Sequence, residues 1–372
     1  VTSRSSGWVV GRVAGAPVVL TRSWLLGAVV LTLVFAPTVG RFAPGTGTTG
    51  VLVVAFAFVL LLFASVFLHE VAHALVARAR GHRVTEVALT LWGGHTAYTG
   101  SSGRPLDGAL VAVVGPLTNL AIAAGLWAAF QLQSSLTIPA LLLFAGAFSN
   151  AFVGLFNLVP GLPLDGGQVL EAVVWRATGS RTRGTLAAGW VGRVVAVGVV
   201  VGALLWPLRT GGSPSLLTVA WAALIGAFLW SGAGEAIKGA RRREEVGLLT
   251  VRGLAVPAVT VPADATVGSL PGVLAARPGA VVVVVGADGA PRGWVDPGAA
   301  AGVPAEAAST TSVEAVVVPF PAGSAVTADL AGPDLLSTLA RTAGGSRVVP
   351  VVEEGRVTGV LDVARVAAAL RR

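Results

Sequence analysis

The stretch FASVFLHEVAHALVARARG, Phe63 to Gly81, carries two features that rarely share a segment. Its first half continues an apolar run that begins near Val51, and the run closes at Arg78 and Arg80. Within it His69, Glu70 and His73 form the pattern His-Glu-x-x-His. Residues four apart on a helix share a face, so the two imidazoles converge. Ionisable groups inside a segment long enough to cross a membrane are costly, and they mark function by default.

Working outward, the composition agrees with a membrane setting. Of the 372 residues 54% are hydrophobic and 12% charged, and the mean hydropathy is +0.80. A soluble domain carries roughly 25% charged residues. Apolar runs of spanning length lie at about Trp24–Val39, Val51–Ala77, Ala109–Phe130, Ile138–Val159, Gly189–Leu208 and Leu216–Ala236. Each crosses ~30 Å of hydrocarbon at ~1.5 Å per residue. The net charge of +8 comes mainly from arginines that flank these runs, which is how a membrane protein is oriented. No basic groove with interleaved aromatics is present, so nucleic acid is excluded as a partner. Arg78, Arg80, Arg83, Arg104, Arg181 and Arg183 fall on one side, and Arg41 and Arg209 on the other. The positive-inside rule then puts both termini in the cytosol. The use of arginine over lysine, with Lys238 the single lysine, points to a GC-rich genome and a bacterial cell membrane.

The His-Glu-x-x-His pattern is that of a zinc site with two imidazole ligands, a third protein ligand and a position open to water. Glu70 is placed to move the proton of that water without itself being a ligand. The chain has no cysteine, so the third ligand is His, Asp or Glu. Asp165, in NLVPGLPLDGG, occupies a Pro/Gly-broken region at the end of the fourth run. The second and fourth runs cross in the same direction, so Asp165 and the histidines reach the same depth. A helix-capping aspartate is the alternative reading, and Glu171 is the alternative ligand. Asn157 is placed to donate a hydrogen bond to a developing oxyanion. Asn119, in GPLTN, either does the same or bridges helices. His82 and His95 lie in polar segments and are expected at the surface. The segment LTLWGGHTAY offers a strand edge for an extended substrate, a role that a proline at Thr90 tests.

HEVAH, GPLTN and NLVPGLPLDGG, in three successive runs, resemble the site-2 protease family of intramembrane zinc metalloproteases. The resemblance covers residues 8 to 240. It implies His69, His73 and Asp165 as ligands of one Zn2+, Glu70 as catalytic acid/base and Asn157 as a substrate-positioning or oxyanion residue. It implies a transmembrane protein as substrate and the lipid bilayer as surroundings. A transporter with an ion site and an inactive scaffold are the rival readings. Neither gives a reason for Glu70 between two metal-spaced histidines.

From Val246 onward spans give way to β-branched runs, Gly/Pro turns and Ala/Leu helices. AVVVVVGADGAPRGWVD and SRVVPVVEEGRVTGVLD share a layout and lie about seventy residues apart, which marks an internal duplication. The tail resembles a tandem pair of CBS domains. The expected architecture is therefore an α-helical polytopic membrane domain of about six spans, residues 1–243, and a soluble α/β tandem CBS domain, residues 244–372. The resemblance implies adenine nucleotide as a ligand and homodimerisation through the tail. The tail departs from the nucleotide-binding pattern: Asp296 and Asp362 replace the expected hydroxyl, and Ala299 and Arg365 the ribose-binding aspartate. Nucleotide binding and a purely structural or dimerising role remain alternatives.

Overall fold

The computed structural model describes residues 6–43, 45–91, 93–100, 103–135 and 137–371. Trp92, at the centre of LTLWGGHTAY, lies outside them. The chain divides into two compact units, Val1–Ala240 and Arg241–Arg372.

The first unit begins with β1 (Gly7–Val13) and β2 (Ala16–Thr21), then α1 (Arg22–Phe42) and α2 (Thr48–Ala79). The hairpin β3 (Arg83–Thr90) and β4 (Gly93–Thr99) leads into α3 (Pro105–Gln131) and α4 (Ile138–Asn157). Helices α5 (Asp165–Thr178), α6 (Arg181–Arg209) and α7 (Leu216–Leu248), whose last residues run past Ala240 into the second unit, complete it. Among the described residues six helices, α1 to α4, α6 and α7, are long and apolar enough to cross a membrane. They coincide with the six apolar runs. Their outward faces carry Leu61, Phe148, Leu155 and Val194, all exposed. That surface suits lipid, where peptide groups must be satisfied within the helix.

Inward faces follow four-residue ladders, since residues i and i+4 stack on one side of a helix. On α2 the ladder is Ser65, His69, His73 and Ala77, all buried. On α3 it is Val111, Gly115, Asn119 and Ala123. On α4 it is Gly146, Asn150 and Gly154. The polar members of each ladder sit against polar members of the next. Burial there costs little because each amide and imidazole finds a partner.

The four strands form one sheet in the order β1-β2-β3-β4, with β2 and β3 parallel and the other pairs antiparallel. The turn between β1 and β2 uses Ala14 and Gly15 at φ 54° and 82°. Val18, Val84 and Val87 pack on Ala74 and Ala77, which fixes the sheet against the last turns of α2. β4 is an edge strand, and it runs beside the histidine ladder.

The second unit is a seven-stranded sheet of order β8-β7-β6-β5-β11-β10-β9, built from two similar halves. A short α8 (Val251–Leu254) precedes β5 (Val256–Pro262) and α9 (Leu270–Ala276). The first half then has β6 (Val281–Val285), β7 (Pro291–Val295), α10 (Pro297–Ala301), α11 (Ala305–Ala308) and β8 (Val317–Pro319). The second has β9 (Val326–Thr327), α12 (Gly332–Thr342), β10 (Val348–Glu353), β11 (Arg356–Asp362) and α13 (Val363–Ala369). Each half keeps its own core, one around Val313 and Val284, the other around Leu335 and Leu361. The halves join where β5 pairs with β11. Asp296 and Asp362 occupy equivalent places: each caps the helix after a hairpin, accepting from Gly298 N at 2.9 Å and Ala364 N at 2.8 Å.

Candidate metal centre

His69 and His73 project from α2 toward α3, and each ring is held at Nδ1. The Nδ1 of His73 lies 2.6 Å from the carbonyl oxygen of Val111. That oxygen only accepts, so Nδ1 carries the proton and Nε2 is left with its lone pair. The Nδ1 of His69 lies 2.5 Å from Asn119 Oδ1. The orientation of the Asn119 amide follows from its other contacts. Its Nδ2 donates to Ser65 Oγ at 2.9 Å and to Asn150 Oδ1 at 3.0 Å. Ser65 in turn donates to Asn150 Oδ1. His69 Nδ1–H therefore donates to Asn119, and its Nε2 is also a bare acceptor.

Asp165 Oδ2 completes the group, 3.2 Å from His69 Nε2 and 3.5 Å from His73 Nε2. The two Nε2 atoms are 3.0 Å apart. Three electron-rich atoms thus converge on one point, which is repulsive unless they share a cation. The spacing suits zinc. Ligand atoms at ~2.0–2.1 Å from a tetrahedral ion lie about 3.4 Å from one another. Among the described residues this is the candidate metal cluster, with all three ligand atoms within 4.8 Å. Gly115 leaves the room: a Cβ there would stand 2.6 Å from His69 Nε2 and closer still to His73 Nε2.

Asp165 reaches this point because the chain between α4 and α5 is wedged by glycine. It is the first residue of α5, not a loop residue. A Cβ on Gly166 would meet the Leu158 carbonyl, one on Gly167 the Leu162 amide, and one on Gly192 of α6 the Leu162 carbonyl. The Leu162 amide donates to Ala188 O of α6 at 3.0 Å. These approaches are closer than any side chain permits, which gives the Asp-Gly-Gly sequence its physical reason.

β4 closes the site from the side of the sheet. A cavity of about 220 Å³ is lined by Glu70, His73, Gly94, Thr96, Tyr98 and Asp165 among others. Glu70 lies against β4, with the Thr96 hydroxyl 2.7 Å from its Oε2. Burial raises the Tyr98 hydroxyl above its usual pKa, so it stays protonated and able to donate into the cavity.

The remaining sequence expectations fall as follows. Glu171 is ion-paired with Arg181 at 2.8 Å, away from the cluster. Asn157 is half-buried at the last residue of α4 and is not among the hydrogen-bond partners of the histidines. Asn119, read as bridging helices or donating to an oxyanion, bridges them and also holds His69. His82 is buried at 7% exposure, where the surface was expected. Gly81, at φ 84°, reverses the chain after α2 and turns the His82 ring onto Tyr98, 5.2 Å between centroids. His95 is half exposed, 3.8 Å from Glu86, and reaches the rim of the cavity. Ser65, Asn150, Gly115 and Thr96 were not singled out. The first three stand on the ladder positions of their helices, and Gly94, Thr96 and Tyr98 alternate on β4.

Fold and site together define a polytopic membrane protein with a candidate metal centre built between its helices. Residues 57–139 and 133–201 match peptidase family M50. Over those residues the chain matches that family, the site-2 protease family of metalloproteases. It is 34% identical over 253 residues to a Synechocystis sp. protein named as a zinc metalloprotease, sll0528. That match covers 67% of this chain and 64% of the relative, so it spans somewhat less than two thirds of the relative's length. The structure of a site-2 protease from Methanocaldococcus jannaschii aligns with a TM-score of 0.43 and 24% identity, over 62% of this chain and 94% of that one. The CBS domain of a CBS-domain-containing membrane protein from Sphaerobacter thermophilus aligns at 18% identity and a TM-score of 0.29, over 36% of this chain and 96% of that one.

Proposed function

We propose that the protein is an intramembrane metalloendopeptidase that hydrolyses peptide bonds in or near transmembrane segments of other membrane proteins. The observation that carries this reading is the convergence of His69 Nε2, His73 Nε2 and Asp165 Oδ2, with Glu70 lining the same cavity as His73 and Asp165. His69, His73 and Asp165 hold Zn2+. When bound, zinc supplies Lewis acidity toward water and the scissile carbonyl. Glu70 takes the proton of the attacking water and delivers it to the leaving amine. Asn157 is assigned to substrate positioning or the oxyanion, on its motif and its place just before the loop that carries Asp165.

The substrate must be unwound before it is cut, since a helix hides its peptide groups. The edge strand β4 offers unpaired backbone beside Glu70, which supports pairing with an extended substrate. Thr90 is the last residue of β3 and pairs with Gly93 of β4, so a proline there acts at the turn end of the hairpin. A proline at an outward amide of β4 tests the edge itself. Orientation with both termini in the cytosol of a bacterial cell rests on the arginine distribution. For the tail, adenine nucleotide and a second copy of the chain are the candidate partners. The caps at Asp296 and Asp362 bear on the first, because their carboxylates are already engaged by backbone amides.

The test is metal content and cleavage together. Purified in mild detergent, the wild type should hold one zinc per chain and cut a helix-destabilised transmembrane peptide. His73→Ala and Asp165→Ala should lose the metal. Glu70→Gln should keep the metal and lose cleavage. A well-folded wild type without metal would overturn the reading.

A further inference from the structure

We propose that Thr96 is the positioning residue for Glu70, holding it from the sheet while α3 and α5 arrange the metal ligands. The inference rests on Glu70 being the acid/base of the proposed reaction. The two histidines are oriented by Val111 and Asn119 on α3, and Asp165 by its place at the start of α5. None of these groups restrains Glu70, whose side chain leaves the same helix in a different direction. Its restraint comes from β4. The Thr96 hydroxyl lies 2.7 Å from Glu70 Oε2 and 3.1 Å from the Glu70 carbonyl oxygen. It has one proton, which goes to the nearer and more basic carboxylate.

Gly94, two residues earlier, faces the same side of the strand. A Cβ at Gly94 would stand 2.8 Å from Glu70 Oε1 and 2.9 Å from its Cδ, and closer to Cγ. Bare backbone at Gly94 and a hydroxyl at Thr96 thus form a cradle for one glutamate. With Oε2 engaged, Oε1 is the oxygen left to accept a proton. Because β4 is also the sheet edge, a peptide paired along it would stand in fixed register with that oxygen.

The experiment measures kcat, KM, bound zinc and melting temperature for the full chain in detergent, with a helix-destabilised transmembrane peptide as substrate. Thr96→Val keeps the shape and removes the hydroxyl. It should lower kcat about 10- to 100-fold, a fraction of what a positioned acid/base contributes. KM and zinc content should stay at wild-type values. Thr96→Ser restores the hydroxyl and should recover most of kcat. Thr96→Val with wild-type kcat overturns the proposal and leaves the assignment of Glu70 standing, provided Glu70→Gln is inactive. Loss of zinc or folding in both Thr96 variants, or no recovery with serine, assigns Thr96 a structural role and also overturns it. If wild type and Glu70→Gln cut equally, Glu70 is not the acid/base and both readings fall.

Discussion

The side-chain oxygen of Asn119 lies 2.5 Å from Nδ1 of His69, and the nitrogen of the same amide is tied to Ser65 and Asn150. One residue of α3 therefore links His69 on α2 to a polar pair that spans α2 and α4. The amide cannot flip without putting Nδ2–H against the His69 N–H.

Asn119→Ala should weaken zinc binding about 10- to 100-fold, the usual effect of losing a group that orients a ligand. Competition with a calibrated chelator measures it. Asn119→Asp should recover part of the affinity, since a carboxylate oxygen still accepts from Nδ1. Equal affinities in wild type and Asn119→Ala would show that His69 is oriented without the amide.

Gly115→Ala should act on metal binding more than on folding. Alanine favours a helix over glycine by about 1 kcal/mol, which offsets only part of an overpacking cost of about 1–3 kcal/mol, so the metal-free protein should melt somewhat lower than wild type. The new methyl meets both Nε2 atoms, so the imidazoles must turn away and zinc content should fall toward zero. A variant that holds zinc normally would contradict the tight approach of α3 to the ladder on α2.

Gly192→Ala acts at a distance. Its Cβ would fall on the Leu162 carbonyl, in the loop that delivers Asp165. Overpacking of this kind costs about 1–3 kcal/mol, and relief by loop movement draws Asp165 off the metal. The variant should melt lower and bind zinc more weakly. Gly198→Ala on the same helix meets nothing within 4 Å and should be neutral or mildly stabilising.

The parts of the site that were legible in the sequence are those with local spacing. His69 and His73 are set by one helical turn, and each span by the length of its apolar run. The duplicated tail showed because Asp288-Gly289 and Glu354-Gly355 punctuate two similar hairpins. Asp165 was reached by matching depths, which needs only span count and arginine placement. Ser65, Asn150 and Thr96 stayed hidden for a different reason. A hydroxyl or amide in an apolar helix or on a strand reads alike whether it faces its own backbone, solvent or a neighbour. Which faces meet is decided by packing between segments far apart in sequence. His82 misled because polarity was read as exposure, whereas the turn at Gly81 directs it inward.

The four-residue ladder on α2 makes that helix a ruler with a phase. One extra residue between Ser65 and Ala77 rotates everything beyond it by about 100°, carrying the ligands off the face that meets α3. Upstream of Ser65 a second four-residue ladder, Ala55, Val59 and Phe63, is buried against α1. Adaptation of this protein to a thicker or thinner bilayer is therefore confined to the start of α2, Thr48–Val53, where no residue is buried and length can change while the packing and the chemistry keep their angle.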